Sequence, residues 1–119
     1  RSENDRYHYL IDSIGDVFDE AELPVVPVFV RSGARLPKDA VVLNIFLHQW
    51  ELNRLGEYEI RFATQLTGSG MKESLGIKVG SCFWGNPFRY RIVDNFQTSA
   101  RRATTKLIPQ IAQRITESN

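Results

Sequence analysis

The chain has 119 residues, 42% of them hydrophobic and 24% charged, with a formal net charge of +1. Those values fit a single globular domain, spanning residues 1–119, with one core and little room for a second. The near-neutral balance argues against nucleic acid or an anionic membrane as the main partner, since both call for a clearly basic patch.

Residues 4–22 read as an amphipathic helix. Tyr7, Leu10, Ile11, Ile14, Val17, Phe18 and Ala21 recur at spacings of three and four, while Asp5, Asp12, Asp16, Asp19 and Glu20 take the other face. Gly15 weakens the interior by about 1 kcal/mol relative to Ala, and Pro24 stops the helix. Val25, Val26, Val28, Phe29 and Val30 form a β-branched run. With Pro24 and Pro27 lacking backbone donors, this is expected to be a short strand at a sheet edge. Residues 31–39 are rich in turn formers and read as a loop.

The longest strand pattern follows. Val41, Leu43, Ile45 and Leu47 alternate with Val42, Asn44, Phe46 and His48, so both faces are largely apolar, which predicts a central strand covered on more than one side. Beyond His48 the apolar phase moves to Trp50 and Leu52, as a β-bulge would produce. Leu55, Gly56 and Glu57 supply a turn. Tyr58, Ile60, Phe62 and Leu66 then alternate with Glu57, Glu59, Arg61 and Gln65, the pattern of a half-buried strand. Thr67-Gly68-Ser69-Gly70 predicts a hairpin turn.

In the returning strand Leu75, Ile77 and Val79 alternate with Ser74, Gly76, Lys78 and Gly80. Gly76, Gly80 and Ser81 leave its second face thin enough for a large neighbour such as Trp50 or Trp84. Residues 83–93 read as a loop with at most a short strand. Asp94 and Gln97 have capping-box spacing. A stripe of Phe96, Ala100, Ala103, Leu107, Ile111 and Ile115 predicts a helix over about 95–116, which Pro109 kinks or breaks after Ile108. The fold class is therefore α+β: an antiparallel sheet of three to four strands with two helices on one face, in the order α-β-β-β-α.

The constellations that could carry chemistry are weak. Cys82 stands alone, which excludes an intrachain disulfide and a Cys-rich metal site, and it reads as a buried small hydrophobe. His8 and His48 lack the spacing of a zinc set. No catalytic motif, phosphate loop or cofactor signature is present, so the chain is read as non-enzymatic and without a cofactor. The carboxylates of the first helix read as a solvated face. Arg101, Arg102, Lys106 and Arg114 make the last helix basic. They could meet phosphate, but they read better as a complement to the acidic first helix.

Phe83, Trp84, Phe88, Tyr90 and Phe96 cluster around Arg89 and Arg91. Three roles are open to them: packing into the core, anchoring a protein interface, or stacking on nucleic-acid bases. Trp84, Phe88, Arg89, Tyr90 and Arg91, with Trp50, are the candidate partner-contact residues. For Trp50 the choice lies between core and interface.

No run approaches the roughly 18 apolar residues of a membrane span, and no signal peptide is seen. The chain starts at Arg1 rather than Met, as expected of a processed or shortened form.

An amphipathic helix ending in AELPVVPVF, a strand AVVLNIFLHQWEL paired with GEYEIRFATQL, a return through ESLGIKVG and a closing SARRATTKLIPQIAQRI together resemble small bacterial cell-envelope lipoproteins. The likeness is to the auxiliary lipoproteins of ABC-type transport systems, to the amino-terminal domain of the Tol-system β-propeller protein, and to the curli-secretion lipoprotein. It rests on element order and hydrophobic pattern and transfers no functional residue. It implies an accessory protein of the periplasm, anchored at the outer membrane by a lipid outside this chain, with protein partners in the envelope, room for an oligomer and no catalysis of its own. The alternative is a nucleic-acid-binding module of the double-stranded-RNA-binding type, which shares the element order. There the last helix starts with Gly and Lys, whereas here Asp94-Asn95-Phe96-Gln97 stands at that point. A small-molecule-binding or enzymatic domain of unknown type is a further alternative.

Overall fold

The computed structural model describes residues 3–25, 27–30, 33–68, 70–83 and 92–117. In these, α1 (Glu3–Ala21) precedes three strands, β1 (Val42–Leu52), β2 (Glu57–Gly68) and β3 (Met71–Phe83), followed by α2 (Ile92–Thr105) and α3 (Ile108–Glu117). The strands form one antiparallel sheet in the order β1-β2-β3, so the chain has an α+β fold.

The periodicity of α1 produces the expected burial along most of its stripe, but Tyr7 and Ile11 at the stripe's margin stay exposed. Leu10, Ile14, Val17 and Phe18 are buried, and Asp12, Asp16, Asp19 and Glu20 are exposed. The helix ends in a left-handed residue, Glu22 at φ 52°, just before Pro24. Val25 and residues 27–30 form no strand, contrary to expectation. Two prolines deprive this run of donors, and Phe29 instead lays its ring against Gly15 of α1, 3.7 Å from where a Cβ would stand. Among the described residues β1 is therefore an edge of the sheet rather than the central strand its two apolar faces suggest.

The phase change in β1 is a bulge: Leu47 pairs with Phe62 and Gln49 with Arg61, leaving His48 as the extra residue. The β1–β2 turn is held by Asn53, whose Oδ1 accepts from the amides of Leu55 and Glu57, with Gly56 at φ 78°. β2 keeps strict alternation, with Tyr58, Ile60, Phe62, Thr64 and Leu66 buried beneath the helices. Thr67 and Gly68 extend β2, pairing with Lys72 and Met71, instead of forming the turn.

A second bulge changes the reading of β3. Thr64 pairs with Gly76 and Gln65 with Ser74, which leaves Leu75 extra. Gly76 takes φ 88° there, and Thr64 Oγ1 donates to its carbonyl at 2.8 Å. Leu75 is buried, but the bulge reverses the faces beyond it. Lys78, Gly80 and Cys82, which pair with Phe62, Ile60 and Tyr58, lie on the helix side, and Ile77 and Val79 lie on the other. The expected single stripe of Leu75, Ile77 and Val79 is thus divided between two faces.

At Gly80 the neighbour is the backbone of α2, with Ser99 and Ala103 nearest rather than Trp50; Trp84 lies outside the described residues. α2 starts at Ile92, so Asp94 lies inside the first turn, where its charge complements the helix dipole, instead of capping it. The break expected after Ile108 comes earlier, at Lys106 and Leu107. Pro109 has no amide to donate to Thr105 and its ring would clash with that carbonyl, so α2 stops at Thr105 and Pro109 enters the first turn of α3. Leu107 in the break is fully buried. The core joins Leu10, Ile14 and Phe18 of α1 to Ile60, Phe62 and Leu66 of β2 and to Ala100, Ala103, Leu107 and Ile111. Its centre is between helices and sheet.

Candidate contact surfaces

Trp50 is 7% exposed. Its Nε1 donates to the Phe96 carbonyl at 3.1 Å and to Ser99 Oγ at 3.2 Å. Its ring meets Phe96 edge-on at 5.6 Å, and Phe96 meets Tyr58 in the same manner at 4.8 Å. Arg6 closes the outer side, with its guanidinium 6.0 Å from the Trp50 ring centroid and Nη2 donating to the Trp50 carbonyl at 3.3 Å. Trp50 thus ties β1 to α2 from within the core. Trp84, Phe88, Arg89, Tyr90 and Arg91 lie outside the described residues.

Cys82 is buried, with Sγ 3.9 Å from Asn95 Oδ1, in keeping with its reading as a small packed side chain. His48 is exposed at its bulge, and His8 pairs with Asp12 at 3.5 Å on α1. No group of three or more His, Cys, Asp or Glu residues among the described residues could hold a metal ion. No described helix is long and apolar enough to cross a membrane.

The basic side chains of the closing helices all have partners inside the domain. Arg101 pairs with Asp16 of α1 at 3.5 Å, and Arg114 pairs with Glu73 and Glu117. Arg102 donates to the Ser81 carbonyl at 2.7 Å and Lys106 to the Val79 carbonyl at 2.6 Å. Charge complementarity between the helices is therefore one part of the explanation, and attachment to the outer edge of β3 is the other.

The surface that sequence reasoning missed is the sheet face turned away from the helices. Pairing places Phe46, Ala63 and Ile77 in one row across it, and Gln49, Arg61 and Val79 in the next. Phe46 is 54% exposed, Ile77 57%, and Phe83, beside Glu57 at the end of the sheet, 68%. Glu51 and Glu59 stand directly opposite each other in the following row. Among the described residues no helix or strand covers this face. An apolar band rimmed by charge is the usual form of a protein contact site. The signal is present in the two apolar faces of β1, a pattern that by itself predicts cover on both sides.

Comparison with known protein families, curated proteins and solved structures gives no match for this chain.

Proposed function

We propose that this domain is a non-enzymatic accessory protein of the cell envelope, held in the periplasm at the outer membrane by a lipid anchor. It acts through protein–protein contacts in a transport or secretion assembly. The observation that carries the contact role is the sheet face that no described helix or strand covers, with Phe46, Ile77 and Phe83 exposed. Burying the part of these side chains still exposed would contribute about 1–2 kcal/mol each, and the carboxylates of Glu51, Glu57 and Glu59 at one end favour a partner with basic residues there. The envelope setting rests on the resemblance in element order and hydrophobic pattern. A nucleic-acid role draws less support, because Arg101, Arg102, Lys106 and Arg114 are engaged within the domain.

The test is affinity capture from solubilised envelope membranes with the wild-type domain, a Phe46→Ser/Ile77→Ser variant and a Trp84→Ala/Arg89→Ala variant. The proposal expects a defined membrane-assembly partner with the wild type and its loss with at least one variant. Capture of the same partner by all three proteins would sink it, as would retention of the wild type on a nucleic-acid column at physiological salt.

A further inference from the structure

The two edges of the sheet are treated differently. Along β3, Arg102 of α2, Lys106 in the break and Gln110 of α3 donate to the carbonyls of Ser81, Val79 and Leu75 at 2.7, 2.6 and 3.3 Å. These side chains occupy acceptors that an incoming strand would need. Along β1 the corresponding contact is made by Arg6 with the Trp50 carbonyl. That carbonyl therefore points away from β2. Alternation along the strand, read through the His48 bulge, turns the backbone groups of Leu43, Ile45 and Leu47 outward as well. None of these outward groups has a backbone partner among the described residues. The stretch Val42–Leu47 carries no charge and no proline, and so lacks the usual devices that keep an edge from pairing.

An apolar seam flanks this edge. Tyr7 and Ile11, 52% and 38% exposed, are one turn apart on α1, and the next position in their row is Gly15, covered by the 46% exposed Phe29. Ile11 lies about 140° around the helix from Asp16 at 3.6 residues per turn. Because Asp16 pairs with Arg101 of α2, the seam is on the flank of α1 away from α2. α2 packs on β3 and β2, and α1 packs beside α2, which sets α1 and its outer flank toward the β1 side of the sheet. Edge and seam thus share one side of the domain.

We propose that this side is the interface of a homodimer. β1 of one copy pairs antiparallel with β1 of a second across a two-fold axis, and Tyr7, Ile11 and Phe29 of the two copies meet above the joined sheet. Three features select a second copy as the occupant. An extended peptide would satisfy the edge but leave the seam exposed, whereas a second copy brings an edge and a seam in the same relation. A neutral strand meets its own copy without the penalty of like charges placed opposite each other. The capped β3 edge stops further addition, so the assembly closes at two. This surface is separate from the open sheet face, which stays free in the dimer.

The test is sedimentation velocity of the full chain over a concentration series, with amide exchange measured at the lowest and highest concentrations. The proposal expects a monomer–dimer equilibrium and slower exchange at Leu43, Ile45 and Leu47 as the dimer fills. Ile11→Glu should weaken the dimer by about tenfold or more, while Ile77→Ser on the open face leaves it unchanged. A monomer at every concentration would overturn the proposal, as would a dimer indifferent to Ile11→Glu. So would exchange at the three amides that does not depend on concentration, which would mean that the edge is covered by the chain itself. Were Ile11→Glu not to fold, the concentration dependence of wild-type exchange would decide alone.

Discussion

Gly80 of β3 lies directly beneath the backbone of Ser99 in α2. A Cβ on Gly80 would overlap the Ser99 carbonyl oxygen and stand 2.5 Å from the Ala103 nitrogen and 3.0 Å from its Cβ. Helix and strand reach this separation because the strand presents no side chain and the helix presents Ala100 and Ala103, both fully buried.

Gly80→Ala is therefore expected to force α2 off the sheet. The overpacking should cost about 1–3 kcal/mol, toward the upper end because the obstruction is backbone that no rotamer change can relieve. Urea unfolding monitored by far-UV circular dichroism measures it, and a midpoint equal to wild type would contradict this packing.

Trp50→Phe keeps an aromatic ring against Phe96 but removes the Nε1 donor shared by the Phe96 carbonyl and Ser99 Oγ. The expected loss is about 1–3 kcal/mol from the unmade bond and the smaller ring. Stability should fall without a change in any partner-capture result, since the residue is inside the core.

Glu22 occupies the left-handed region at φ 52° immediately after α1, where glycine is the favoured residue. Glu22→Gly should stabilise the domain by roughly 0.5–1 kcal/mol by removing the Cβ penalty. A rise in thermal midpoint is the expected outcome, and a fall would mean that the Glu22 side chain supplies more than its backbone costs.

Replacing Arg102 and Lys106 together by Ala should uncover the Ser81 and Val79 carbonyls. The stability cost is expected to be modest, about 0.5–1.5 kcal/mol per lost bond. The larger effect should be on assembly: with both sheet edges open, sedimentation should reveal species beyond the dimer. Unchanged sedimentation would show that these side chains do not guard the edge.

Pro109→Ala restores an amide but places it in the first turn of α3, where no intrahelical acceptor is required. The break should persist because Leu107 is held fully buried. The variant should lose about 0.4–1 kcal/mol through a freer unfolded chain. A marked gain in helix signal would instead mean that the proline alone separates α2 from α3.

Local regularities were legible wherever one spacing held along an element. The three-and-four spacing of Leu10, Ile14, Val17 and Phe18, and of Ala100, Ala103, Leu107 and Ile111, marks the helical stripes that reach the core. Alternation of Tyr58, Ile60, Phe62 and Leu66 marks the buried face of β2. The slip at His48 was visible because the apolar phase visibly changes across it. The slip at Leu75 was hidden, because Leu75, Ile77 and Val79 keep an unbroken apolar alternation while Gly76 turns the strand between them. The Val25–Val30 run looked like a strand by composition, but strand formation requires a partner edge, and composition does not specify one. For the candidate contact surfaces, residue type alone put Trp50 among the anchors, while its hydrogen bonds to α2 place it inside the core.

By itself the sequence determined which segments are helical or extended and which side chains must leave water, because periodicity and turn chemistry are properties of the local chain. Tertiary structure alone decided that β1 is an edge, that one sheet face carries no described cover, that Arg102 and Lys106 bind β3 rather than an outside ligand, and that Gly80 admits the backbone of α2. Each of these depends on which surfaces meet across distant parts of the chain, and hydrophobic burial, being non-directional, does not specify that from a linear pattern.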